Sequence, residues 1–124
     1  MTVERQLLGL VGEEIAAREL VSRGYAILER RYRTEYGEID IVAQEGETLV
    51  FVEVRARASD EFGTAAESVT DGKKRKVTRM ANDYLTRRNI CNRPCRFDVV
   101  AIDAALSDAP QVTVYPAAFD AAGL

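Results

Sequence analysis

The sequence predicts an α/β fold: a central mixed sheet of about five strands flanked by helices, in the order α-β-β-β-α-β-β. Three observations carry this expectation. Apolar residues recur at helical spacing in two proline-free stretches, 4 to 23 and about 69 to 89. Between them the run Thr48 to Arg55 is rich in β-branched and aromatic residues and follows a turn signal. Beyond the second stretch, Phe97, Val99, Val100 and Ile102 mark a further strand.

In the first helix Leu7, Leu10, Val11, Ile15, Ala17, Leu20 and Val21 supply the apolar positions, and Gly24 is a natural stop. Tyr25 to Arg33 is compatible with a strand, and Tyr36-Gly37 turns the chain into a second one, Glu38 to Ala43. Gln44 to Glu47 is the turn that joins it to Thr48–Arg55 as a hairpin. Residues 56 to 66, with Gly63, are expected to be loop. The second helix follows from Lys73, Val77, Met80, Ala81, Tyr84 and Leu85 at spacings of three and four. Arg96 to Asp103 and Val112 to Tyr115 are the last strands, with a helical turn expected over Pro116 to Asp120.

With 124 residues, 47% hydrophobic and 30% charged, the chain predicts one domain over 1–124, its core over about 4–119. The N-terminal apolar stretch Leu7 to Val11 is too short and too interrupted for a membrane span or a secretory segment, so a cytoplasmic protein with no membrane partner is expected. Histidine is absent, which removes Ser-His and Cys-His nucleophile pairs and His-ligated zinc. Cys91 and Cys95 form a lone C-x3-C, too few ligands for a zinc site, and are expected to be reduced thiols. The net charge of −3 conceals segregation: Lys73 to Arg96 holds nine basic residues against the single acid Asp83, and no basic residue follows Arg96. Such a patch binds polyanions locally even when the whole chain is acidic. The lack of tryptophan and the scatter of five tyrosines provide no evident platform for stacking bases, which favours duplex or junction shape as the feature recognised.

The acids are patterned too. A period of two in Glu38 to Val42 places Glu38 and Asp40 on one face and Ile39 and Ile41 on the other. The same rule pairs Glu53 with Arg55 in an otherwise apolar strand, where an acid is costly unless compensated. Hairpin pairing brings Asp40 towards Glu53, and Glu13 lies on the helical stripe Leu10, Glu13, Ala17, Leu20, whereas Glu14 does not. Clustered carboxylates repel unless a cation neutralises them, and a hard divalent metal suits oxygen-only ligands. Each element alone has an ordinary explanation, as a salt bridge, a solvated strand face or a helix N-terminal acid.

Gly12-Glu13 with Ala17 and Leu20, the segment Gly37 to Val42, the segment Phe51 to Arg55, Ser68-Val69-Thr70 before Lys73, and Arg96 to Val100 together closely resemble the YraN family, also called uncharacterised protein family 0102. The resemblance spans roughly residues 9 to 103. It implies a restriction-endonuclease-like fold of the PD-(D/E)xK class, similar to archaeal Holliday junction resolvases. It further implies catalytic roles for Asp40, Glu53, Arg55 and Glu13, with Lys73 as the basic residue of the second helix. Mg2+ or Mn2+ would be held by Asp40 and Glu53 with the Val54 carbonyl, Glu13 joining through water; the strand period, which sets Glu38 beside Asp40, makes Glu38 a further expected metal ligand. Lys73, Lys76 and Arg79 would grip a nucleic-acid backbone. Arg55 departs from the lysine usual in that class: a guanidinium clamps phosphate but cannot accept a proton.

The first expectation is therefore a metal-dependent endonuclease acting on DNA in preference to RNA, on branched or nicked structures. The alternatives are a non-cleaving nucleic-acid-binding module of the same fold and a scaffold domain whose acids form only salt bridges. A homodimer is the assembly that a two-fold symmetric substrate would favour.

Overall fold

A computed structural model describes residues 2–59 and 70–119. Helix α1 (Val3–Ser22) is followed by strands β1 (Ala26–Thr34), β2 (Gly37–Glu45) and β3 (Thr48–Ala56), helix α2 (Asp71–Arg87), and strands β4 (Cys95–Asp103) and β5 (Gln111–Phe119). This is the predicted order. The five strands form one sheet in the order β1-β2-β3-β4-β5. The β3 and β4 strands pair in parallel and every other neighbouring pair is antiparallel, which makes the sheet mixed.

The alternation of side chains along β3 decides which helix covers which face. Val50 and Val52 pack with Ala16, Ala17 and Leu20 of α1, whereas Leu49 and Phe51 pack with Val77, Met80, Ala81 and Tyr84 of α2. Phe51 and Phe97 are fully buried on the α2 side, each worth about 2 to 3 kcal/mol of hydrophobic transfer. On the α1 side, Gly12 allows a close approach, since a β-carbon there would stand 2.6 Å from Ala56 Cβ. Thr2 caps α1 by accepting from the Arg5 N–H, and Thr70 caps α2 by accepting from the Lys73 N–H. Among the described residues no helix is long and apolar enough to cross a membrane.

Several boundaries differ from the sequence expectation. The β2 strand continues to Glu45, so that only Gly46 and Glu47 turn the hairpin, with Gly46 at φ +60°. Helix α2 begins at Asp71 and ends at Arg87, inside the predicted 69 to 89. The helical turn expected from Pro116 is strand instead: β5 runs on to Phe119, whose ring stacks on Phe97 at 4.8 Å. Proline is tolerated there because β5 is an edge strand. The β4 pairing jumps from Val99↔Tyr115 to Phe97↔Phe119, so three residues of β5 bulge opposite Asp98, whose Oδ1 accepts the Ala117 N–H at 2.9 Å. The Gly63 loop, Ser68-Val69 and Asp120 lie outside the described residues.

Asp98 also anchors a buried polar network. It is fully buried and accepts from the Tyr25 hydroxyl at 2.8 Å and from Arg96 Nε at 2.8 Å. Arg96 additionally donates to Glu45 Oε1 at 2.9 Å. Burial and the bond to Asp98 push the Tyr25 phenol up to about 12. The sequence offered a signal for Asp98, an acid inside an apolar strand, of the same kind that singles out Glu53.

Candidate functional site

The site begins where two strands part. The β2–β3 ladder runs from Glu45↔Thr48 to Ile41↔Val52 and ends there. The next polar group on β3, the Val54 N–H, donates to Asp40 Oδ2 at 2.7 Å. A carboxylate thus takes the place of a strand partner. The facing of β2 changes at the same point, because Ile41 belongs to the α1-side core and Ile39 to the α2-side core. Ile39 and Ile41 therefore do not share a face, contrary to the strict alternation expected from sequence. The physical reason lies on β1, where Arg31, between the pairs Arg30↔Ile41 and Tyr32↔Ile39, takes a left-handed φ of +54°. That conformation costs a non-glycine residue roughly 1 to 2 kcal/mol, and Arg31 stands in the ladder across from Asp40.

Glu53 follows on β3 and is only 4% exposed. Its Oε1 lies 3.3 Å from Lys73 Nζ and 3.7 Å from an Arg55 guanidinium nitrogen. Glu13 reaches in from α1, on the turn where Gly12 lets the helix rest on β3, and its Oε2 accepts from Arg31 Nε at 2.6 Å. Glu13, Asp40, Glu53, Arg55 and Lys73 line one cleft of about 590 Å³, with Val54, Ala56, Arg5, Leu8 and Gly9 completing its wall. Glu38 is not brought into that lining; it pairs with Arg33, its cross-strand neighbour on β1, at 3.0 Å. Glu14 is exposed and pairs with Arg18 and Arg30.

The electrostatics follow from this crowding. Burial and the nearby Glu53 charge, with a smaller push from Glu13, raise the Asp40 carboxyl to about 7, against the pull of the Val54 N–H and Lys73. The cleft therefore favours the protonated form of Asp40 unless a cation is placed beside it. Its acids Glu13, Asp40 and Glu53 are all carboxylates, the donor type that suits a hard divalent cation. The acids are not gathered into a ready-made cage, however: among the described residues no group of three or more metal-ligating side chains is close enough to hold an ion. Arg31 occupies Glu13, and Lys73 and Arg55 occupy Glu53.

Beside the cleft, Lys73, Lys76 and Arg79 line a second cavity of about 470 Å³ with Tyr36, Thr70, Gly72 and Arg75. Lys73 lines both cavities. Sequence reasoning missed Tyr36 and Arg75 here. The basic block does not form one surface: Lys74 pairs with Asp71, Arg87 with Asp83, Arg88 with Glu29, and Arg96 with Asp98 and Glu45. Cys91 and Cys95 are free thiols, and burial raises the Cys95 thiol above its usual range.

Residues 12–102, which hold the whole lining of the basic cavity and all of the cleft's lining except Arg5, Leu8 and Gly9, match the model of the Uncharacterised protein family UPF0102. The chain belongs to the UPF0102 family. A UPF0102 protein of Moorella thermoacetica is 52% identical over 102 residues, covering 82% of this chain and 85% of the relative. One of Hahella chejuensis is 46% identical over 93 residues, with 75% of each covered. One of Anaeromyxobacter dehalogenans is 44% identical over 119 residues, 96% of this chain and 88% of that relative. The UPF0102 match begins at Gly12, the helix–strand contact that places Glu13, and closes at Ile102 near the end of β4.

Proposed function

We propose that this UPF0102 chain, as a single domain, is a metal-dependent phosphodiesterase that cleaves nucleic acid internally, DNA in preference to RNA. The observation that carries the proposal is the sharing of Lys73 between an acid-lined cleft and a basic cavity. One side suits a cation, the other a polyanion, and the ammonium stands where they meet. The resemblance to PD-(D/E)xK nucleases supports the same assignment.

Asp40 and Glu53, with the Val54 carbonyl and with Glu13 through water, would hold Mg2+ or Mn2+. When bound, such an ion makes a water acidic enough to attack at neutral pH and neutralises charge on the phosphoryl oxygens. Asp40 is fixed for its role by the Val54 N–H, which leaves its second oxygen for the cleft. Arg55 stays charged throughout and clamps phosphate oxygens without moving a proton. Lys73 must exchange Glu53 for the substrate as the site fills, while Lys76 and Arg79 hold the backbone in a salt-sensitive, sequence-blind grip.

A second reading is favoured by one observation, the occupation of Glu53 by two cations in the absence of a gathered metal cage among the described residues. The chain would then bind nucleic acid without cutting it. A cleavage assay on duplex, nicked and branched DNA with Mg2+ or Mn2+, run beside Glu53→Gln, separates the two. Metal-dependent cutting that the substitution abolishes is the expected result. Binding without cutting selects the second reading, and cutting that survives the substitution belongs to a contaminant. In parallel, Mg2+ or Mn2+ should raise the Tm of the wild type and leave Asp40→Asn unmoved.

A further inference from the structure

We infer that the basic cavity beside the cleft is a subsite for an unpaired nucleotide flanking the reacting phosphodiester, its phosphate held by Lys73 and Lys76 and its base stacked on Tyr36. This rests on the nucleic-acid part of the reading above and not on hydrolysis. Of the five tyrosines, Tyr25, Tyr32 and Tyr84 are buried and Tyr115 is half-buried, whereas Tyr36 is 38% exposed and lines the cavity. The tertiary fold thus creates a ring platform that the scattered tyrosines of the sequence do not suggest.

The platform is held by backbone. Tyr36 sits in the two-residue turn between Thr34 and Gly37, its N–H donates to Thr34 Oγ1 at 3.0 Å, and that hydroxyl donates to the Gly37 carbonyl at 3.0 Å. Gly37 adopts φ +132°, which a residue with a β-carbon rarely takes. The Arg79 guanidinium lies over one face of the Tyr36 ring, 5.7 Å from its centroid, which leaves the opposite face for a base, with further cations lining the same cavity.

The nucleotide chemistry follows from that combination. A π-face beside several ammonium and guanidinium groups is complementary to a base next to a phosphate, and among the described residues no carboxylate lines the cavity to oppose it. Its volume of about 470 Å³ lies within the roughly 300 to 1,000 Å³ of small-ligand sites. A strand whose phosphate is held at Lys73 in the cleft sends its neighbouring nucleotide into the cavity, because Lys73 lines both. A base inside a duplex is already stacked on both faces and cannot lie on Tyr36. The subsite therefore selects single-stranded or locally unpaired substrate.

The test uses fluorescence anisotropy in EDTA, so that no cleavage intervenes, with a labelled single-stranded 12-mer and its blunt duplex as probes. The wild type should bind the single strand more tightly. Tyr36→Ala should weaken single-strand binding about 10-fold and duplex binding less than 2-fold, while Tyr36→Phe keeps wild-type affinity for both. An unchanged single-strand affinity in Tyr36→Ala, or an equal loss on both probes, would overturn the subsite and leave the wider reading standing. No binding of either probe by the wild type overturns both. Wild-type melting temperatures for both variants establish that the fold is intact, as expected for an exposed turn residue.

Discussion

Lys73 Nζ lies 3.3 Å from Glu53 Oε1, joining the first turn of α2 to the middle of the sheet. Glu53 is buried and Asp40 stands near it, so the ammonium offsets the negative charge that gathers in one cleft. Lys73→Met should destabilise the fold at pH 7. Lys73 is a third exposed and Arg55 remains beside Glu53, so the loss should be about 1 to 2 kcal/mol, below the usual cost of orphaning a fully buried charge. Adding Glu53→Gln to Lys73→Met should recover most of it. Urea unfolding of the single and double variants measures the coupling.

Asp40 should make stability depend on pH in an unusual direction. The folded protein keeps its proton up to about 7, whereas the unfolded chain releases it near 4. Between those values unfolding sheds a proton, so the contribution of Asp40 is fully present below about pH 4 and lost as pH rises through about 7. Asp40→Asn retains an oxygen to accept the Val54 N–H and removes the charge. In EDTA the variant should be more stable than wild type at pH 8, the gap closing towards pH 4. A gap that stays constant across that range would show that Asp40 does not titrate in this way.

Gly12→Ala sets two effects against each other. Alanine favours a helix interior by about 1 kcal/mol, but its β-carbon would meet Ala56 Cβ at 2.6 Å, a separation such atoms do not adopt. The collision should win and leave a net loss of about 1 to 3 kcal/mol. Ala56→Gly in the same chain should relieve it. If the single variant proves as stable as wild type, α1 does not rest on β3 as described.

Asp98 should be among the costliest residues to remove. Asp98→Ala removes the acceptor shared by the Tyr25 hydroxyl, the Ala117 N–H and Arg96, while Arg96 keeps Glu45 and the Tyr25 oxygen as acceptors, and should cost about 2 to 4 kcal/mol. Tyr25→Phe deletes two bonds of the network, one donated to Asp98 and one accepted from Arg96, and should cost about 1 to 2 kcal/mol. Thermal unfolding of both variants checks the ranking.

The element order was legible in the sequence because it rests on local periods: the β-branched run at Thr48–Arg55, and Val77, Met80, Ala81 and Tyr84 at helical spacing on the buried side of α2. Glu13, Asp40 and Glu53 could be named from the same periods, and all three line the cleft. What could not be seen depends on distant partners. The change of face at Asp40 is set by Arg31 on another strand, and the extension of β5 past Pro116 by Asp98 accepting the Ala117 N–H. The basic block is divided by acids at positions 29, 45 and 98 that no count within the block reveals. Tyr36 could not be told from the other four scattered tyrosines, because which of them stays exposed is a fact of packing and not of composition.

The change of face in β2 ties the carboxylate of the cleft to the packing of both sides of the sheet. With Ile39 in one core and Ile41 in the other, Asp40 stands at a hinge between two hydrophobic compartments. Sliding β2 by one residue would withdraw the carboxylate and also exchange the contents of both compartments. A one-residue insertion or deletion in β2 should therefore disturb the cleft and both cores at once, whereas a side-chain replacement at position 40 alters the cleft alone.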